Sequence, residues 1–226
     1  MLREAQQLES SFRENEAFAK YLDVVRAQPT NLTAICKCSE LCSRIGNRQA
    51  DKAKKIDYFK AAKTYATAAL HVNPNNSEAN FVMAFALGRQ TLISSGKERI
   101  AAVKDIRYYA DLAVKLDPGN FKAYHVLGKW NYEVSNLSLT ERSLAKWIYG
   151  GLPKASLQEA ILDYEKSLSL NPNFLLNYLE LSKAYIRNNE RRRARETLEK
   201  MMPLPNQMLD DTRIKEEGRQ LLRELK

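Results

Sequence analysis

The sequence predicts an all-α fold assembled from repeated pairs of helices. The composition favours helix, because Ala, Leu, Lys, Arg and Glu dominate while only 8 Gly and 7 Pro occur among 226 residues. Four prolines recur in similar local text, namely RAQPTN, HVNPNN, KLDPGN and SLNPNF. The chain has no run of 18 apolar residues, so the sequence predicts no membrane-spanning helix.

The prolines set a register that the flanking residues follow. Each proline ends a helix because it cannot continue one, and an Asn within the next two residues can cap the helix that follows. Residues twelve, eight and five positions before each proline share one helical face. They are Ala17, Tyr21 and Val24; Ala62, Ala66 and Ala69; Ile106, Ala110 and Ala113; and Ala160, Tyr164 and Ser167.

A second set of residues follows each proline. Six, nine and ten positions after it stand Ile35, Cys38 and Ser39; Asn80, Met83 and Ala84; Tyr124, Leu127 and Gly128; and Tyr178, Leu181 and Ser182. A large residue, then a Leu-like residue, then a small residue is the tetratricopeptide pattern. We therefore predict one domain over residues 1–226, a tetratricopeptide-like α-α superhelix of about four helix-pair repeats.

The repeats are longer than the usual length of about 34 residues. The surplus predicts insertions near residues 46–55, 94–102 and 137–155, the last of them extending the third repeat. Ser138 and Glu141 have capping-box spacing, which predicts a helix within this insertion that ends at Gly150 and Gly151. A second box at Ser156 opens the next helix. Residues 210–226 predict a C-terminal capping helix, with Asp210 or Asp211 as its cap and an apolar side of Ile214, Leu221, Leu222 and Leu225.

Charge and cysteine usage limit the environment more than the fold. The net charge of +9 steers the protein toward acidic peptides, nucleic acid or anionic lipid head groups, or simply gives it a basic surface. Cys36, Cys38 and Cys42 lie too close together for a disulfide framework, which favours a reducing compartment such as the cytoplasm. The first ten residues, MLREAQQLES, do not form a signal peptide. The earlier removal of an N-terminal signal or anchor stays an open alternative, because the helical sequence pattern is already under way at Met1.

The third repeat carries a more specific signal. The segment from His125 to Asn173 contains the elements GKW, EVSNL, ER and LPKAS, and it resembles the regulator of microtubule dynamics family. The resemblance implies a tetratricopeptide-like domain with this extended repeat, acting as a non-enzymatic adaptor or tether. Animal members of that family are associated with microtubules, mitochondria or membrane contact sites, and lipid binding has been connected with the domain.

Residues that carry chemistry are scarce. The sequence has no Gly-rich phosphate loop, no His-Glu-x-x-His and no nucleophile elbow, so we predict no catalytic residue and no cofactor. His71 stands near a helix end, where a cation favours the dipole. The three cysteines lack the spacing of a zinc site, and Cys38 and Cys42 fall on core positions, so we interpret them as buried small residues.

The first helix of each repeat should line a concave groove. Positions seven, eleven and fifteen after each proline are Cys36, Glu40 and Arg44; Phe81, Phe85 and Arg89; His125, Lys129 and Glu133; and Leu179, Lys183 and Arg187. We predict that binding residues are Phe81, Phe85, Arg89, His125, Lys129, Lys183 and Arg187. Aromatic surface beside cations suits a peptide or protein segment with acidic and apolar side chains.

Three alternatives accompany this prediction. The groove could instead take an anionic phospholipid, in a lipid-transfer or tethering domain to which the apolar segment 144–149 contributes. Phe81 and Phe85 could be covered by the N-terminal helix or by an insertion. We interpret the arginine-rich segment NNERRRARE as a solvated helical face with Ala194 turned inward. Binding to an anionic membrane is the alternative interpretation. Nucleic acid is disfavoured because stacking motifs are absent, and the oligomeric state stays open.

Overall fold

The computed structural model describes residues 1–94, 96–149 and 151–225, with every side chain in them except those of residues 96, 97, 144, 148 and 149. This part of the chain forms twelve helices and no strand, which confirms the all-α prediction. The helices are α1 (Leu2–Ser10), α2 (Glu14–Ala27), α3 (Leu32–Arg48), α4 (Lys52–Val72), α5 (Ser77–Gln90), α6 (Gly96–Leu116), α7 (Phe121–Ser135), α8 (Leu139–Tyr149), α9 (Leu157–Leu170), α10 (Leu175–Arg187), α11 (Arg191–Met201) and α12 (Asp211–Glu224). Among these residues no helix is both long and apolar enough to cross a membrane.

The helices pack in the pairs that the proline register predicts. Helix α3 packs with α4, α5 with α6, α7 with α9, and α10 with α11. These four pairs are the four predicted repeats, and α8 is the predicted insertion within the third. A further pair, α1 and α2, precedes them.

The helical face defined by counting back from each proline is the buried face. Ala17, Ala62 and Ala160 have no exposed surface, and neither do the aromatic rings of Tyr21 and Tyr164. Small side chains at these positions let the paired helix approach closely, because the distance between two helix axes depends on the side chains at their contact. The repeat pattern therefore predicted the core correctly.

Three of the four predicted asparagine caps are present. The side chains of Asn31, Asn76 and Asn120 each accept a hydrogen bond from a backbone N–H three residues further on, at 3.1, 3.0 and 3.0 Å. Each of these residues stands two positions after its proline. In the fourth repeat the asparagine, Asn173, stands one position earlier, and Phe174 takes the N-cap place of α10 without a side-chain bond. A displacement of one residue is enough to remove the cap.

Two of the predicted insertions lengthen helices. Helices α4 and α6 each have 21 residues, so most of the surplus near 46–55 and 94–102 is helical, although residue 95 lies outside the described part. The third insertion forms α8. Ser138 and Glu141 bond in both directions at its start, the backbone N–H of Ser138 donating to the carboxylate at 2.8 Å and that of Glu141 donating to the hydroxyl at 3.2 Å. Gly150 lies outside the described residues, whereas Gly151 has the positive φ of 106° that suits a helix end. Ser156 caps α9.

The C-terminal helix packs as predicted but begins differently. Ile214 and Leu225 are buried against α10 and α11, with Leu221 and Leu222 partly buried beside them. Asp210 stands at the N-cap position of α12, as predicted, but its side chain makes no cap hydrogen bond. The carboxylate of Asp211 instead accepts the backbone N–H groups of residues 207 and 208, at 2.7 and 2.8 Å. It therefore stabilises the preceding loop.

The described chain divides into two compact units. The first comprises Met1–Pro118 and Ser143–Leu152, and the second Gly119–Arg142 and Pro153–Lys226. The core of the first unit includes Tyr21 and Leu41, and the core of the second includes Tyr164 and Leu198. That residues 1–226 act as a single domain stays a prediction.

Candidate partner-binding faces

In the first unit, the three predicted binding residues form one stack along α5. The rings of Phe81 and Phe85 lie 5.8 Å apart and almost parallel, and the guanidinium carbon of Arg89 lies 4.9 Å from the centre of the Phe85 ring. Arg89 also donates to the side-chain oxygen of Asn47, at 3.2 Å. Phe81 is only 4% exposed, so its ring is covered. A partner could reach Phe85, which is half-buried, and Arg89.

In the second unit, the other four predicted residues lie on α7 and α10. His125 is half-buried, with its Nδ1 atom 2.8 Å from the side-chain oxygen of Asn177 and its ring edge-on to Phe174 at 5.0 Å. Asn177 is fully buried and donates to the backbone oxygen of Tyr164 at 2.7 Å. The side chain of His125, on α7, is therefore held in place by core residues at the start of α10.

Position seven after each proline is largely a core position. Cys36, Phe81 and Leu179 are 2%, 4% and 1% exposed. The contacts of His125 with Phe174 and Asn177 give the reason in the third repeat, where this position turns toward the first helix of the next repeat. Helices α3 and α5, which are the first helices of the first and second repeats, also pack against each other. Position seven therefore offers a partner little surface, and the concave groove stays a prediction for positions eleven and fifteen.

Position eleven of the second unit is part of a continuous ion network. The C-terminal ion cluster consists of Lys129, Glu133, Glu180, Lys183 and Glu217. Lys129 lies 2.7 Å from Glu180 and 3.0 Å from Glu133, and Lys183 lies 3.0 Å from Glu180 and 2.7 Å from Glu217. The cluster joins α7, α10 and α12. The two predicted binding lysines are thus balanced by three carboxylates.

Glu180 is the centre of this cluster and was not predicted from sequence. It is 7% exposed. Burial opposes its ionisation, but the ammonium groups of Lys129 and Lys183 outweigh burial and lower the pKa of Glu180 to about 2. Its spacing of three residues from Lys183 on one helix was the available sequence signal.

Position fifteen carries an arginine that reaches the preceding repeat. Arg187 donates to the backbone oxygen of Tyr132 at 2.7 Å and to the hydroxyl of Ser135 at 3.2 Å. Its guanidinium carbon lies 5.1 Å from the Tyr132 ring centre, and the Lys129 ammonium lies 5.6 Å from the same centre. Tyr132 was also missed, although it follows Lys129 by three residues on α7. It presents a half-buried aromatic ring between two cations.

The first repeat has a corresponding network. The N-terminal ion cluster consists of Glu9, Glu14, Lys37, Glu40, Arg44 and Arg48. Glu14 and Glu40 are 2% and 4% exposed, Glu14 pairs with both arginines, and Lys37 lies 2.9 Å from Glu9. Glu9 and Glu14 belong to α1 and α2. Carboxylates of the N-terminal helix pair therefore form ion pairs with the cations of α3, among them Arg44, which was predicted to line the groove.

The cysteines are core residues. Cys36, Cys38 and Cys42 are buried and unbridged. Burial raises the pKa of the Cys38 and Cys42 thiols to about 12, so both stay protonated and unreactive at neutral pH. Among the described residues no group of three His, Cys, Asp or Glu side chains could hold a metal ion. His71 lies exposed in the last turn of α4.

The arginine-rich run has a structural role in part. Arg191 and Arg195 donate to the backbone oxygens of Glu224 and Leu225, at the C-terminal end of α12. Cations at this end of a helix satisfy its unpaired carbonyl groups and favour its dipole. The other two arginines pair with nearby glutamates, and Ala194 is fully buried as predicted.

These helix pairs define a tetratricopeptide-like helical-repeat protein. The chain resembles a solved thermophilic TPR protein of Thermus thermophilus with a TM-score of 0.69, covering 98% of this chain and 97% of the other. Their sequences are 13% identical, so the likeness shows the fold alone.

The sequence model described as "Regulator of microtubule dynamics protein 1-3" matches residues 1–226, and the chain belongs to this family. The relative named regulator of microtubule dynamics protein 1 from Caenorhabditis elegans is 28% identical over 192 residues, 84% of this chain and 83% of the relative. Protein 3 from Xenopus laevis is 32% identical over 124 residues, 55% of this chain and 27% of the relative. Regulator of microtubule dynamics protein 1 from Bos taurus is 28% identical over 174 residues, which are 76% of this chain and 55% of the relative. The chain spans most of the nematode relative but about half or less of these two vertebrate ones.

Proposed function

We propose that this chain is a non-enzymatic adaptor that binds an extended peptide or protein segment on the face shared by α7 and α10. The observation that carries the proposal is the half-buried Tyr132 ring, whose centre lies 5.6 Å from the Lys129 ammonium and 5.1 Å from the Arg187 guanidinium carbon. Aromatic rings and arginines are enriched where binding energy concentrates at protein interfaces. Phe85 and Arg89 offer the same combination on α5 of the first unit.

The charge arrangement specifies what such a segment carries. Lys129 pairs with buried Glu180 and also with Glu133, whose side chain is 57% exposed. An exposed pair of this kind contributes only about 0–1 kcal/mol, so a partner carboxylate can replace Glu133 at little cost. The Glu180 pair then stays intact and holds the ammonium in place. The segment should therefore present a carboxylate next to an apolar side chain that covers Tyr132.

Replacing Tyr132 by serine should weaken binding of the partner about thirtyfold, because truncating a central aromatic contact typically removes about 2 kcal/mol of binding free energy. The measurement is affinity purification from the extract of its own cells, with bound proteins quantified by mass spectrometry. Tyr108→Ser is the matched control, since Tyr108 is an exposed helical tyrosine on α6, in the other unit.

A photocrosslinking residue locates the contact directly. Placed at Glu133, the exposed residue that pairs with Lys129, it should crosslink the same protein that Tyr132→Ser loses. Placed at exposed Lys166 on α9, it should not. Equal crosslinking at both positions, or equal capture by the Tyr132 and Tyr108 variants, would rule out the α7–α10 face.

A second candidate function is anionic phospholipid binding, as a tethering or transfer domain. It is favoured by Trp147 of α8, whose side chain is 85% exposed next to exposed Lys146. Tryptophan beside lysine is the combination that peripheral helices use at a membrane interface. The sequence had assigned this role to the apolar segment 144–149, of which the side chains of Leu144, Ile148 and Tyr149 lie outside the described part.

Replacing Trp147 by serine should abolish flotation with liposomes that contain phosphatidic acid, if this second function holds. The measurement is flotation at low salt, and liposomes made only of neutral lipid serve as the control. Leu162→Ser is the control, since Leu162 is an exposed apolar side chain on α9. Absence of flotation by the unchanged protein at low salt would leave peptide recognition as the only proposal.

A further inference from the structure

Helix α4 has an excess of lysine, and within the described residues most of these lysines have no ion-pair partner. It carries five lysines, Lys52, Lys54, Lys55, Lys60 and Lys63, and its one acidic residue is Asp57. Lys52, Lys55, Lys60 and Lys63 make no side-chain hydrogen bond or ion pair within the described part of the chain. The cations on α3 and α10 are, by contrast, tied into ion pairs or hydrogen bonds.

Three of these lysines lie on one exposed side of the helix, next to its packed face. The packed face of α4 consists of Phe59, Ala62, Ala66 and Ala69, all fully buried. Lys52, Lys60 and Lys63 are exposed, and their spacings of eight and three residues keep them on one side of a helix with 3.6 residues per turn. We call these three residues the α4 lysine face.

This arrangement costs stability unless something outside the chain binds it. Like charges three or four residues apart on a helix repel by a few tenths of a kcal/mol, and both the pair Lys52 and Lys55 and the pair Lys60 and Lys63 have this spacing. The carboxylate of Asp57 makes no ion pair with them in the described structure. An acidic partner would remove this repulsion.

We propose that the α4 lysine face binds an acidic segment of another protein. It is a different surface from the α7–α10 face and does not depend on that assignment. Membrane docking fits poorly, because among the described exposed large apolar side chains only Val72 belongs to α4, and a membrane-binding helix inserts such side chains beside its cations. Single-stranded nucleic acid fits poorly too, since the two aromatic residues among these lysines, Tyr58 and Phe59, are half-buried and buried and offer no exposed ring for stacking on bases.

The dimensions suit an extended acidic chain. Lys52 and Lys63 are eleven residues apart, or about 16 Å along the helix axis. An extended peptide advances about 3.3 Å per residue and presents every second side chain to the same side. A run of about five or six residues rich in Glu or Asp therefore spans the α4 lysine face. Binding should be weak and salt-dependent, because exposed charge pairs are individually weak and screened.

The test is fluorescence anisotropy of a labelled ten-residue glutamate peptide with the full chain at low salt. The triple variant Lys52→Gln, Lys60→Gln, Lys63→Gln should raise Kd about tenfold or more, as loss of three exposed charge pairs predicts. A second triple variant, Lys154→Gln, Lys166→Gln, Lys200→Gln, removes the same net charge from exposed lysines elsewhere and should change Kd less than about twofold. Circular dichroism of both variants checks that they stay folded.

The remaining arms separate this proposal from its competitors. A glutamine peptide of the same length should not bind, and raising the salt concentration should weaken binding of the glutamate peptide. Equal effects of the two triple variants would show a response to net charge alone and overturn the proposal. So would preferential, α4-dependent binding of phosphatidylserine vesicles or duplex DNA over the peptide. The α4 variant should still capture the Tyr132-dependent partner, so the two proposals can fail separately.

Discussion

Replacing Gly128 by alanine should lower the free energy of unfolding by about 1–3 kcal/mol. Gly128 lies on α7 where the ring of Tyr164 from α9 packs directly on the backbone. A Cβ atom at Gly128 would lie 2.7 Å from Cδ1 of Tyr164 and 2.8 Å from Cε1. Tyr164 is fully buried, so its ring cannot move away without disturbing the core of the second unit. The overpacking therefore outweighs the better helix propensity of alanine.

Gly88 provides the matched control. It lies in α5, and a Cβ atom there would meet nothing within 4 Å. The same substitution should therefore stabilise the protein by about 0.5–1 kcal/mol, since glycine inside a helix costs about that much relative to alanine. Chemical denaturation followed by circular dichroism measures both effects. A stabilising Gly128→Ala variant would mean that α7 and α9 can separate without loss of packing, contrary to the structure.

Replacing Glu180 by alanine should destabilise the second unit by about 2 kcal/mol, because it removes a buried carboxylate that accepts hydrogen bonds from two lysines. Lys129 and Lys183 lie 2.7 and 3.0 Å from Glu180. Glu133→Ala removes an exposed carboxylate from the same Lys129 and should cost no more than about 1 kcal/mol. Thermal unfolding of the two variants makes the comparison, and equal losses would show that burial of Glu180 has no special weight.

The contribution of Glu180 should also depend on pH in a defined direction. The pKa of Glu180 is lowered to about 2 in the folded chain, from an ordinary value of 4.5. The unfolded chain therefore takes up a proton at higher pH than the folded chain does, so acid favours unfolding. The stabilisation is fully present above about pH 5 and is lost as the pH falls toward 2. The stability difference between the unchanged protein and Glu180→Gln should shrink over that interval, and a difference that stays constant would contradict the lowered pKa.

The repeat architecture was determined by the sequence itself. Each proline with its asparagine located a helix boundary, and small residues such as Ala62 and Ala160 located the buried face. These signals act within one or two turns of the chain, where backbone geometry links sequence spacing to direction. The same local signals placed α8 in the third repeat. The one-residue shift of Asn173 shows their limit, because a cap is lost when the side chain changes register.

The state of the charges was decided only by the tertiary structure. Lys129 meets Glu180 across 51 residues of sequence, and Lys37 meets Glu9 across 28. The helical period says which residues share a face but not which face of another helix they meet, and that choice depends on the packing of the whole unit. Residues predicted as free binding cations, such as Lys183, therefore proved to be paired. Lys52, Lys60 and Lys63 of α4 stand out for the same reason, since only the folded chain shows that no carboxylate of the described residues pairs with them.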